Sequence, residues 1–543
     1  MHDKPVLKFG RLIESHIHAA PRGFSTFMRA VPPWISTKLY AGKQVRDGLR
    51  SIMKSGEKCP EIIFAAHHQS HAASAFYPSP FRNALVLTID GVGERATTSV
   101  YRGNGHSLVL QKQIDFPDSL GLLYAAVTQF LGFKVLSGEY KVMGLAPYGV
   151  PRFADVVLAN LITLHDDGSF ALNQSYFDYV VGKQMYSEKM AALFGIPARQ
   201  PEAALTQLHM DIAASIQVVI ETAILGLCRA LAQEFPERNL CLAGGVALNC
   251  VANSKIVAEG LFDDVWIQPA AGDAGCALGA ALAVWHQKLD QPRVPTQNDT
   301  MRGALLGPSF SQKEIEQSLL AAGAVFTVKS EEDMIDATAR AINDQSAVGW
   351  FQGAMEFGPR ALGARSILAD PRSETMQKTL NIKVKHRESF RPFAPAVLAE
   401  KVVDWFVLDD ESPYMLRTAQ VQASRQRPTD RTLTGLAALN QVRSDIPAVT
   451  HLDNSARVQT VTEQSNLMFY KLISRFDALT GCPVLINTSF NVRGEPIVCS
   501  PLDALACFLN TGLDMLVIGK CILLKSDQPD ELAATLTREF ELD

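Results

Sequence analysis

Two histidines one helical turn apart could hold a metal ion near residue 70. His67 and His71 follow the apolar run Glu61–Ala65, a predicted strand, and open a predicted helix. Residues four apart share a helix face, so both imidazoles could reach one cation. His68 and His71 are the alternative pair, and solvated imidazoles at a polar helix start are the plainer interpretation. A zinc-protease motif requires Glu at position 68, which argues against that enzyme class.

Three glycine-containing turns could bring carboxylates or backbone amides to a ligand. Asp90-Gly91-Val92-Gly93 ends a predicted strand, as in ATPases of the actin and hexokinase type, although an ordinary hairpin turn would look the same. Gly244 and Gly245 join a strand to a helix near Asn249, where backbone amides could contact a nucleotide phosphate. Asp273 supplies another carboxylate where a strand turns into a helix. The order of these turns along the chain is more informative than any one of them.

The second half of the chain places basic residues near short turns rich in Pro or Gly. These residues are Arg360, Arg365, Lys385, Arg387, Arg391 and Arg457. Guanidinium groups bind phosphate oxygens in a bidentate manner, so this distribution favours a site for phosphate-bearing substrates. A solvated basic face is the alternative, which the apolar neighbours Phe390 and Phe393 make less favourable. Isolated histidines elsewhere have no partner at ligand spacing and are predicted to be structural.

Composition sets the class of protein that must position these residues. The chain has 543 residues, which predicts at least two domains, and its 47% hydrophobic and 20% charged residues are typical of a compact globular protein. A net charge of −5 gives no reason to expect nucleic-acid binding. Nine scattered cysteines without a C-x-x-C pair indicate buried thiols in a reducing compartment. The longest uncharged apolar run, Ala274–Trp285, is too short to span a bilayer, so we expect a cytoplasmic protein without a membrane span.

Alternating strand and helix patterns from residue 61 onward predict an α/β architecture. The stretch Asp290–Thr300 is rich in Pro, Gln and Asn and predicts a boundary between domains 1–300 and 301–543. Prolines are expected to interrupt residues 1–54, and residues 422–445 to form a polar loop. Predicted strands are Ala84–Asp90, Thr97–Tyr101, Ser107–Asp115, Asn239–Ala243, Asp264–Gln268, Ala347–Gln352, Tyr414–Val421, Pro483–Asn487 and Met515–Leu524. Predicted helices are Ser119–Gly132, Ala203–Glu234, Leu248–Glu259, Ala274–Leu289, Glu332–Asn343, Ser373–Val384, Gln464–Thr480 and Pro501–Asn510.

Several sequence blocks occur in the order of a known family. They are His67-x-x-x-His71, Asp90-Gly-x-Gly, Gly138–Gly149, Gly244–Asn249, Asp273–Gly279, Gly358–Ile367, Phe390–Pro395 and Asn487–Asn491. On these blocks the chain resembles the O-carbamoyltransferases of the nodulation-factor, cephem and aminoglycoside (tobramycin) type, from about residue 5 to residue 525.

The resemblance implies two modules. The first, residues 1–300, would have an actin/hexokinase-like fold, similar to the metal-dependent transferase of tRNA threonylcarbamoylation. The second, residues 301–543, would be a YrdC-like α/β domain that forms carbamoyl adenylate. In the first module the resemblance implies a divalent metal ion, Fe(II) favoured, and a bound nucleotide. The implied metal ligands are His67, His71, Asp90 and Asp273, and the implied nucleotide-binding residues are Gly244, Gly245 and Asn249.

The second module carries most of the remaining roles that the resemblance implies. Lys385-His386-Arg387 and Ser489-Phe490-Asn491 look like the Lys-x-Arg and Ser-x-Asn of YrdC-type domains. The implied catalytic residues are Lys385, Arg360, Arg391 and, in the first module, Lys141. Implied to bind nucleotide or carbamoyl phosphate are Arg387, Arg457, Asn487, Ser489 and Asn491. The implied reaction uses ATP and carbamoyl phosphate to carbamoylate a hydroxyl of a small molecule or glycan, with a Nod-factor lipochitooligosaccharide as one candidate acceptor.

One part of the family pattern is not found in this sequence. The family normally begins with a strand and hairpin that carry a His-Asp-Ser-type turn and a Glu-Glu-Arg-Phe-like strand. Either Met1 is an internal start, or a separate polypeptide supplies this piece. Two other functions stay open at this point. One is a tRNA-directed carbamoyl or threonylcarbamoyl transferase, against which the net charge argues, and the other is an inactive nucleotide-binding partner subunit.

Overall fold

A computed structural model describes residues 4–430, 432–536 and 540, which form two compact units. The first unit contains the chain up to Ala146 and continues with Val150–Thr300. The second unit contains Pro147–Gly149 and the chain from Met301 onward.

A five-stranded mixed sheet forms the centre of the first unit. Its order is β3-β2-β1-β6-β7, in which β1, β6 and β7 run parallel and β2 is antiparallel to both of its neighbours. A separate two-stranded sheet contains β4 and β5. The strands of this unit are β1 Asn83–Ile89, β2 Ala96–Asn104, β3 Ser107–Asp115, β4 Ile162–Leu164, β5 Phe170–Leu172, β6 Asn239–Ala243 and β7 Asp264–Ile267.

The register of this sheet explains why its predicted site residues meet. Thr88 of β1 is opposite Ala243 of β6, so the carboxyl ends of the two parallel strands lie side by side. Asp90 follows the first of these strands and Gly244 follows the second. Ligand sites of open α/β sheets form at such carboxyl ends.

Eleven described α-helices belong to the first unit. They are α1 Pro5–Ala19, α2 Phe24–Ser36, α3 Ala41–Ile52, α4 His67–Phe76, α5 Leu120–Phe130, α6 Glu139–Leu145, α7 Ala154–Asn160, α8 Lys189–Phe194, α9 Gln207–Glu234, α10 Cys250–Ala258 and α11 Asp273–Ala283. Within the described ranges, α9 is the one helix long and apolar enough to cross a membrane, and 78% of its apolar window is buried inside the protein. It is a central core helix of this unit.

Residues before α4 differ from the sequence-based expectation. Pro21 lies between α1 and α2, as expected of a helix-breaking residue, whereas Pro32 and Pro33 lie inside the C-terminal half of α2 and do not end it. The predicted strand Glu61–Ala65 is wrong, because residues 61–64 are irregular and Ala65 forms only a single bridge. A short apolar run does not distinguish a strand from an extended connection. The helices α1 to α3 also expose large apolar side chains, including Val6, Ile17, Phe24 and Ile52.

An eight-stranded mixed sheet forms the core of the second unit. Its order is β14-β11-β15-β10-β9-β16-β17-β8, and β12 pairs with β13 in a small separate sheet. The strands are β8 Thr327–Val328, β9 Val348–Phe351, β10 Arg365–Ala369, β11 Ala394–Leu398, β12 Thr418–Gln420, β13 Ser455–Arg457, β14 Gln459–Val461, β15 Val484–Ser489, β16 Met515–Ile518 and β17 Cys521–Leu524. The predicted run Met515–Leu524 is a hairpin that turns at Gly519, whose φ is +54°.

Helices cover this sheet and complete its core. They are α12 Gln312–Ala322, α13 Glu331–Asn343, α14 Met376–Thr379, α15 Leu467–Thr480, α16 Pro501–Leu509 and α17 Asp530–Thr535. A π-helical turn, Leu380–Val384, follows α14 and leads directly to Lys385. Such turns are rare and occur often at functional sites. The alternation of strands and helices confirms the predicted α/β class.

Candidate functional site

The first candidate site lies in the first unit. There the first turns of α4 meet the carboxyl end of β1 and the start of α11, the helix that follows β7. The Nε2 atoms of His67 and His71 lie 3.1 Å apart. Asp90 Oδ2 lies 3.0 Å from His67 Nε2 and 3.6 Å from His71 Nε2. Asp273 Oδ1 lies 3.5 and 3.7 Å from the same two atoms. The structure therefore brings together all four side chains that the resemblance implies as metal ligands.

A glycine allows the two helices that carry these ligands to approach closely. A Cβ added to Gly279 of α11 would lie 1.8 Å from the backbone oxygen of Ser70 in α4, a distance that no side chain tolerates. Because Asp273 is the first residue of α11 and His71 follows Ser70, this crossing sets the carboxylate against the imidazoles.

Glu94 fixes the start of α4, a role that the sequence analysis missed. Its carboxylate is buried and accepts hydrogen bonds from the backbone nitrogen of His67 at 3.0 and 3.2 Å. A negative charge at a helix N-terminus is favourable, since backbone N–H groups there lack helical partners. Its position directly after the Asp90-Gly-x-Gly turn was the available signal.

His68 is a structural residue, which resolves the alternative histidine pair. Its Nδ1 lies 3.0 Å from Thr88 Oγ1 and 2.9 Å from Ser99 Oγ, both on strands of the sheet. Burial, with a smaller effect from the neighbouring His71, lowers the pKa of His68 to about 3, so its ring is neutral. The two imidazoles that share the carboxylates are therefore those of His67 and His71.

The electrostatics of this cluster favour a bound positive charge. Burial alone would raise the pKa of Asp90, but hydrogen bonds from His67 and His71 hold that pKa well below its usual range. Burial likewise opposes charge on His71, while Asp273 and Asp90 raise the pKa of His71 well above its usual range. Two imidazoles and two carboxylates fit a borderline divalent cation, so the donor set suits the implied metal.

Cys276 extends the donor set and was also missed from the sequence. One ligand atom from each of His67, His71, Asp273 and Cys276 can be chosen such that all lie within 4.8 Å of one another. The available signal was the three-residue spacing from Asp273 to Cys276, which puts both on one helix face.

The glycine turn after β6 contacts the same cluster. Gly244 has φ +90°, and a Cβ there would lie 2.2 Å from the backbone oxygen of Ile89. The backbone nitrogen of Gly245 donates to Asp90 Oδ1 at 3.1 Å. Asn249 caps α10 by accepting from the backbone nitrogen of Ala252 at 3.1 Å. The predicted contact of Gly244, Gly245 and Asn249 with a nucleotide stays a prediction.

Lys141 is almost fully buried in α6, with 1% of its surface exposed. Its ammonium lies 5.8 Å from the centre of the Phe133 ring. Its predicted catalytic role stays a prediction.

The second candidate site lies in the second unit around the ammonium of Lys385. This Nζ donates to Asn491 Oδ1 at 2.8 Å, to the backbone oxygen of Asn491 at 3.0 Å and to Ser489 Oγ at 3.2 Å. The backbone oxygen of Ser489 is a fourth oxygen within hydrogen-bonding distance of this Nζ. The Lys-x-Arg and Ser-x-Asn motifs are therefore adjacent, since the π-helical turn presents Lys385 where β15 ends.

Positive charge is concentrated beside this lysine. Burial lowers the pKa of Lys385 well below its usual value, and the charges of Arg387 and Arg391 lower it further. Arg387 Nε donates to Asn381 Oδ1 at 2.7 Å, and its guanidinium lies 4.9 Å from the centre of the Phe393 ring. Arg391 lies 3.6 Å from Glu388. A bound anion would relieve the mutual repulsion of these cations.

Other predicted residues of this unit have different surroundings. Asn487 is buried in β15, where its Nδ2 donates to Gln459 Oε1 at 2.7 Å. Arg360 and Arg457 are half-buried. The ligand contacts predicted for these three residues stay predictions. Arg365 is fully buried against the Phe351 ring, and its guanidinium donates to the backbone oxygens of Pro308, Gln352, Gly353 and Ala364. These backbone contacts indicate that Arg365 stabilises the fold.

Comparisons with known proteins identify the family of the chain. Residues 1–282 match the family model of the carbamoyltransferase N-terminus, and residues 339–525 match that of the carbamoyltransferase C-terminus. An uncharacterized protein of Synechocystis sp. is 53% identical over all of this chain and 89% of its own length.

Two similar relatives are nodulation proteins. NolNO of Sinorhizobium fredii is 40% identical over 86% of this chain, which spans 64% of NolNO. NolO of Bradyrhizobium diazoefficiens is 37% identical over 84% of this chain and 78% of its own length. Among solved structures, HypF of T. kodakarensis shows a TM-score of 0.24 at 16% identity, over 49% of this chain and 43% of HypF, which is too weak a likeness to carry an argument.

The two family matches fit the predicted combination of an actin/hexokinase-like unit and a YrdC-like unit. They cover most of the chain, and the nodulation relatives align with most of it as well. The chain belongs to the carbamoyltransferase family of the nodulation type, and it is a carbamoyltransferase.

Proposed function

We propose that the chain uses ATP and carbamoyl phosphate to form carbamoyl adenylate, and then transfers the carbamoyl group to a hydroxyl of a small molecule or glycan. The observation that carries this proposal is the Lys385 site. There a buried ammonium, with Arg387 and Arg391 close enough to lower its pKa, joins the two motifs of the second unit. Such a site suits substrates that carry several negative charges.

The first half-reaction is assigned to the second unit. Water cleaves carbamoyl phosphate to carbamate and phosphate. A carbamate oxygen then attacks the α-phosphorus of ATP, the bond from that phosphorus to the bridging oxygen breaks, and pyrophosphate leaves. Lys385, Arg387 and Arg391 would neutralise the charge that develops on the phosphates, so catalysis is chiefly positional and electrostatic. Arg360 is the further cation proposed for this step.

The second half-reaction is assigned to the first unit. The hydroxyl oxygen of the acceptor attacks the carbonyl carbon of carbamoyl adenylate, the bond from that carbon to the phosphate oxygen breaks, AMP leaves and the hydroxyl proton passes to solvent. Backbone amides of the Gly244–Gly245 turn are proposed to hold the nucleotide. His67, His71, Asp90 and Asp273 would hold the divalent ion, Fe(II) favoured, which when bound supplies a Lewis acid for phosphate oxygens.

The half-reactions can be tested separately. Purified protein with ATP and carbamoyl phosphate should release AMP and pyrophosphate, and omission of carbamoyl phosphate should abolish that release. Lys385→Ala should abolish pyrophosphate formation, whereas Lys378→Ala, which changes an exposed lysine of α14, should leave it unchanged. Pyrophosphate formation by Lys385→Ala at the wild-type rate would contradict the proposed role of this site.

The acceptor is tested with carbamoyl phosphate labelled in its carbonyl carbon. We propose a Nod-factor-type lipochitooligosaccharide because two relatives are named as nodulation proteins. Label in the oligosaccharide supports that acceptor. If the oligosaccharide stays unlabelled and another hydroxyl compound takes up the label, that compound replaces it as the proposed acceptor. Label in tRNA would instead support the tRNA-directed alternative. An inactive partner subunit would incorporate no label into any acceptor.

The proposal also includes a cytoplasmic location and a further polypeptide as a partner. All nine cysteines are free thiols, which supports the proposed cytoplasmic location because reducing compartments preserve thiols. A further polypeptide that contributes to the first unit stays a prediction. The exposed apolar side chains of α1 to α3 support it, since such clusters often mark interaction surfaces.

A further inference from the structure

We propose that the thiolate of Cys276 is a ligand of the metal ion in the first unit, in addition to the imidazole and carboxylate ligands. This inference rests on the proposed metal site and deepens it. It makes the donor set softer than two imidazoles and two carboxylates would be. The observation behind it is the position of the Cys276 sulfur within the same small group of donor atoms as His67, His71 and Asp273.

Helix geometry places this sulfur beside the other ligands. Asp273 is the first residue of α11 and Cys276 lies three residues later, so both project from the same helix face. The close crossing at Gly279 presses that face against α4. Two helices therefore each supply a pair of donors: the imidazoles four residues apart on α4, and a carboxylate and a thiol three residues apart on α11.

The separations of these atoms suit one ion. Metal–nitrogen and metal–oxygen bonds of about 2.1 Å and metal–sulfur bonds of about 2.3 Å put neighbouring donors of a five-coordinate ion roughly 3.0–3.8 Å apart. The two Nε2 atoms lie 3.1 Å apart, and Asp273 Oδ1 lies 3.5 and 3.7 Å from them. The sulfur lies within 4.8 Å of one ligand atom from each of His67, His71 and Asp273.

The surroundings of the thiol are consistent with this role. Cys276 is fully buried, and its sulfur contacts the backbone oxygen of His67 at 4.0 Å, a weak contact that coordination would replace. The imidazole of His71 also interacts with this thiol. Coordination would release the thiol proton to solvent. A thiolate favours Fe(II), Co(II) and Zn(II) over Mg²⁺ and Mn²⁺, which prefer oxygen ligands.

Cobalt(II) provides a direct test, because thiolate coordination gives an intense near-ultraviolet charge-transfer band that imidazole and carboxylate ligands do not give. Metal-free wild-type protein titrated with one equivalent of Co(II) should develop this band together with weak visible bands. Cys276→Ser, a nearly isosteric change, should lose the charge-transfer band, keep visible bands and bind Co(II) at least about tenfold more weakly. Cys250→Ser, which changes another buried cysteine of the first unit, should behave like wild type.

The outcomes separate this inference from the proposal on which it rests. Stoichiometric Co(II) binding without a charge-transfer band, or a band that persists in Cys276→Ser, would overturn thiolate ligation and leave the metal site intact. If wild type fails to bind Co(II) and His71→Ala behaves in the same way, both the thiolate ligand and the metal site itself are overturned. X-ray absorption at the zinc edge of zinc-loaded wild type gives a second measurement. A metal–sulfur distance of about 2.3 Å supports the assignment, and the absence of such a distance overturns it. Circular dichroism and urea denaturation verify that each variant is folded.

Discussion

The Nε2 atoms of His67 and His71 lie 3.1 Å apart, with their rings 4.7 Å apart and nearly perpendicular. Neighbours four residues apart on a helix have Cβ atoms about 5–6 Å apart, so both rings turn inward toward one point. Asp90 and Asp273 each contact both nitrogens. Two imidazoles and two carboxylates that converge on one point are the arrangement expected of a cation site.

Loss of one imidazole should therefore separate the two half-reactions. We expect His71→Ala to lower carbamoyl transfer by at least about 100-fold, because metal affinity and orientation both depend on this ligand. Pyrophosphate formation should remain within about twofold of wild type, since that step is assigned to the second unit. Rates of product and pyrophosphate release measure this. His106→Ala changes an exposed histidine paired with Asp290 and is the matched control. Equal loss of both activities would contradict the division of labour.

The close crossing of α4 and α11 makes Gly279 sensitive to any added side chain. Gly279→Val should destabilise the protein by about 1–3 kcal/mol, because its Cβ would overlap the backbone oxygen of Ser70. It should also weaken metal binding, since the helices that hold the donors must separate. Urea denaturation and Co(II) titration test both effects. Gly226→Ala, in α9 with nothing within 4 Å of an added Cβ, should leave the protein equally or slightly more stable. Tight metal binding by Gly279→Val would show that the crossing does not set the site.

We expect lysine to be specifically required at position 385, because its ammonium makes contacts on several sides. Its Nζ lies within hydrogen-bonding distance of four oxygens of Ser489 and Asn491. A planar guanidinium cannot reproduce that arrangement, so we expect Lys385→Arg to reduce pyrophosphate formation by about 100-fold despite the retained charge. The rate of release from ATP and carbamoyl phosphate measures this, with Lys378→Arg as the control. An active Lys385→Arg would mean that only charge is needed.

Sequence patterns predicted the elements whose ends are marked by turn or capping residues. Ser107–Asp115 and Asn239–Ala243 match β3 and β6 to the residue, and Ser119 caps α5 as predicted by accepting from the backbone nitrogen of Leu122. The strands Arg365–Ala369 and Ala394–Leu398 were not predicted, because each adjoins a segment rich in Gly or Pro and is too short for a periodic pattern.

The residues of the candidate site likewise divide into those that local patterns predict and those that depend on tertiary packing. The positions of His67, His71 and Asp90 could be predicted because helix spacing and a strand end fix them locally. Glu94 and Cys276 could not be, since their contacts depend on how α4 packs against a turn and against α11. Arg365 was misread for a related reason. Its sequence neighbours resemble those of a ligand-binding arginine, whereas its guanidinium is enclosed by backbone oxygens from distant turns.

His68 should make the metal-free protein sensitive to acid. Its pKa is about 3 in the folded protein and about 6.5 when unfolded, so the unfolded chain binds a proton that the folded protein rejects. The free energy of unfolding should therefore fall as pH decreases from 6.5 toward 3, by at most about 1.4 kcal/mol per pH unit from this residue. His68→Gln should remove that contribution. Urea denaturation at pH 7 and pH 5, with a chelator present, measures the difference. Identical pH dependence of the two proteins would contradict the assignment.

Arg365 should prove essential for stability and unnecessary for substrate binding. Its guanidinium donates to four backbone oxygens and lies 3.5 Å from the centre of the Phe351 ring. Lysine cannot reach all of these oxygens, and buried acceptors without donors are costly, so Arg365→Lys should destabilise the protein by about 2–4 kcal/mol. The KM for carbamoyl phosphate should not change at a temperature where the variant is folded. Arg340→Lys, which alters an exposed pair with Asp336, should change stability by less than about 0.5 kcal/mol. A stable Arg365→Lys with a raised KM would instead make Arg365 part of the substrate site.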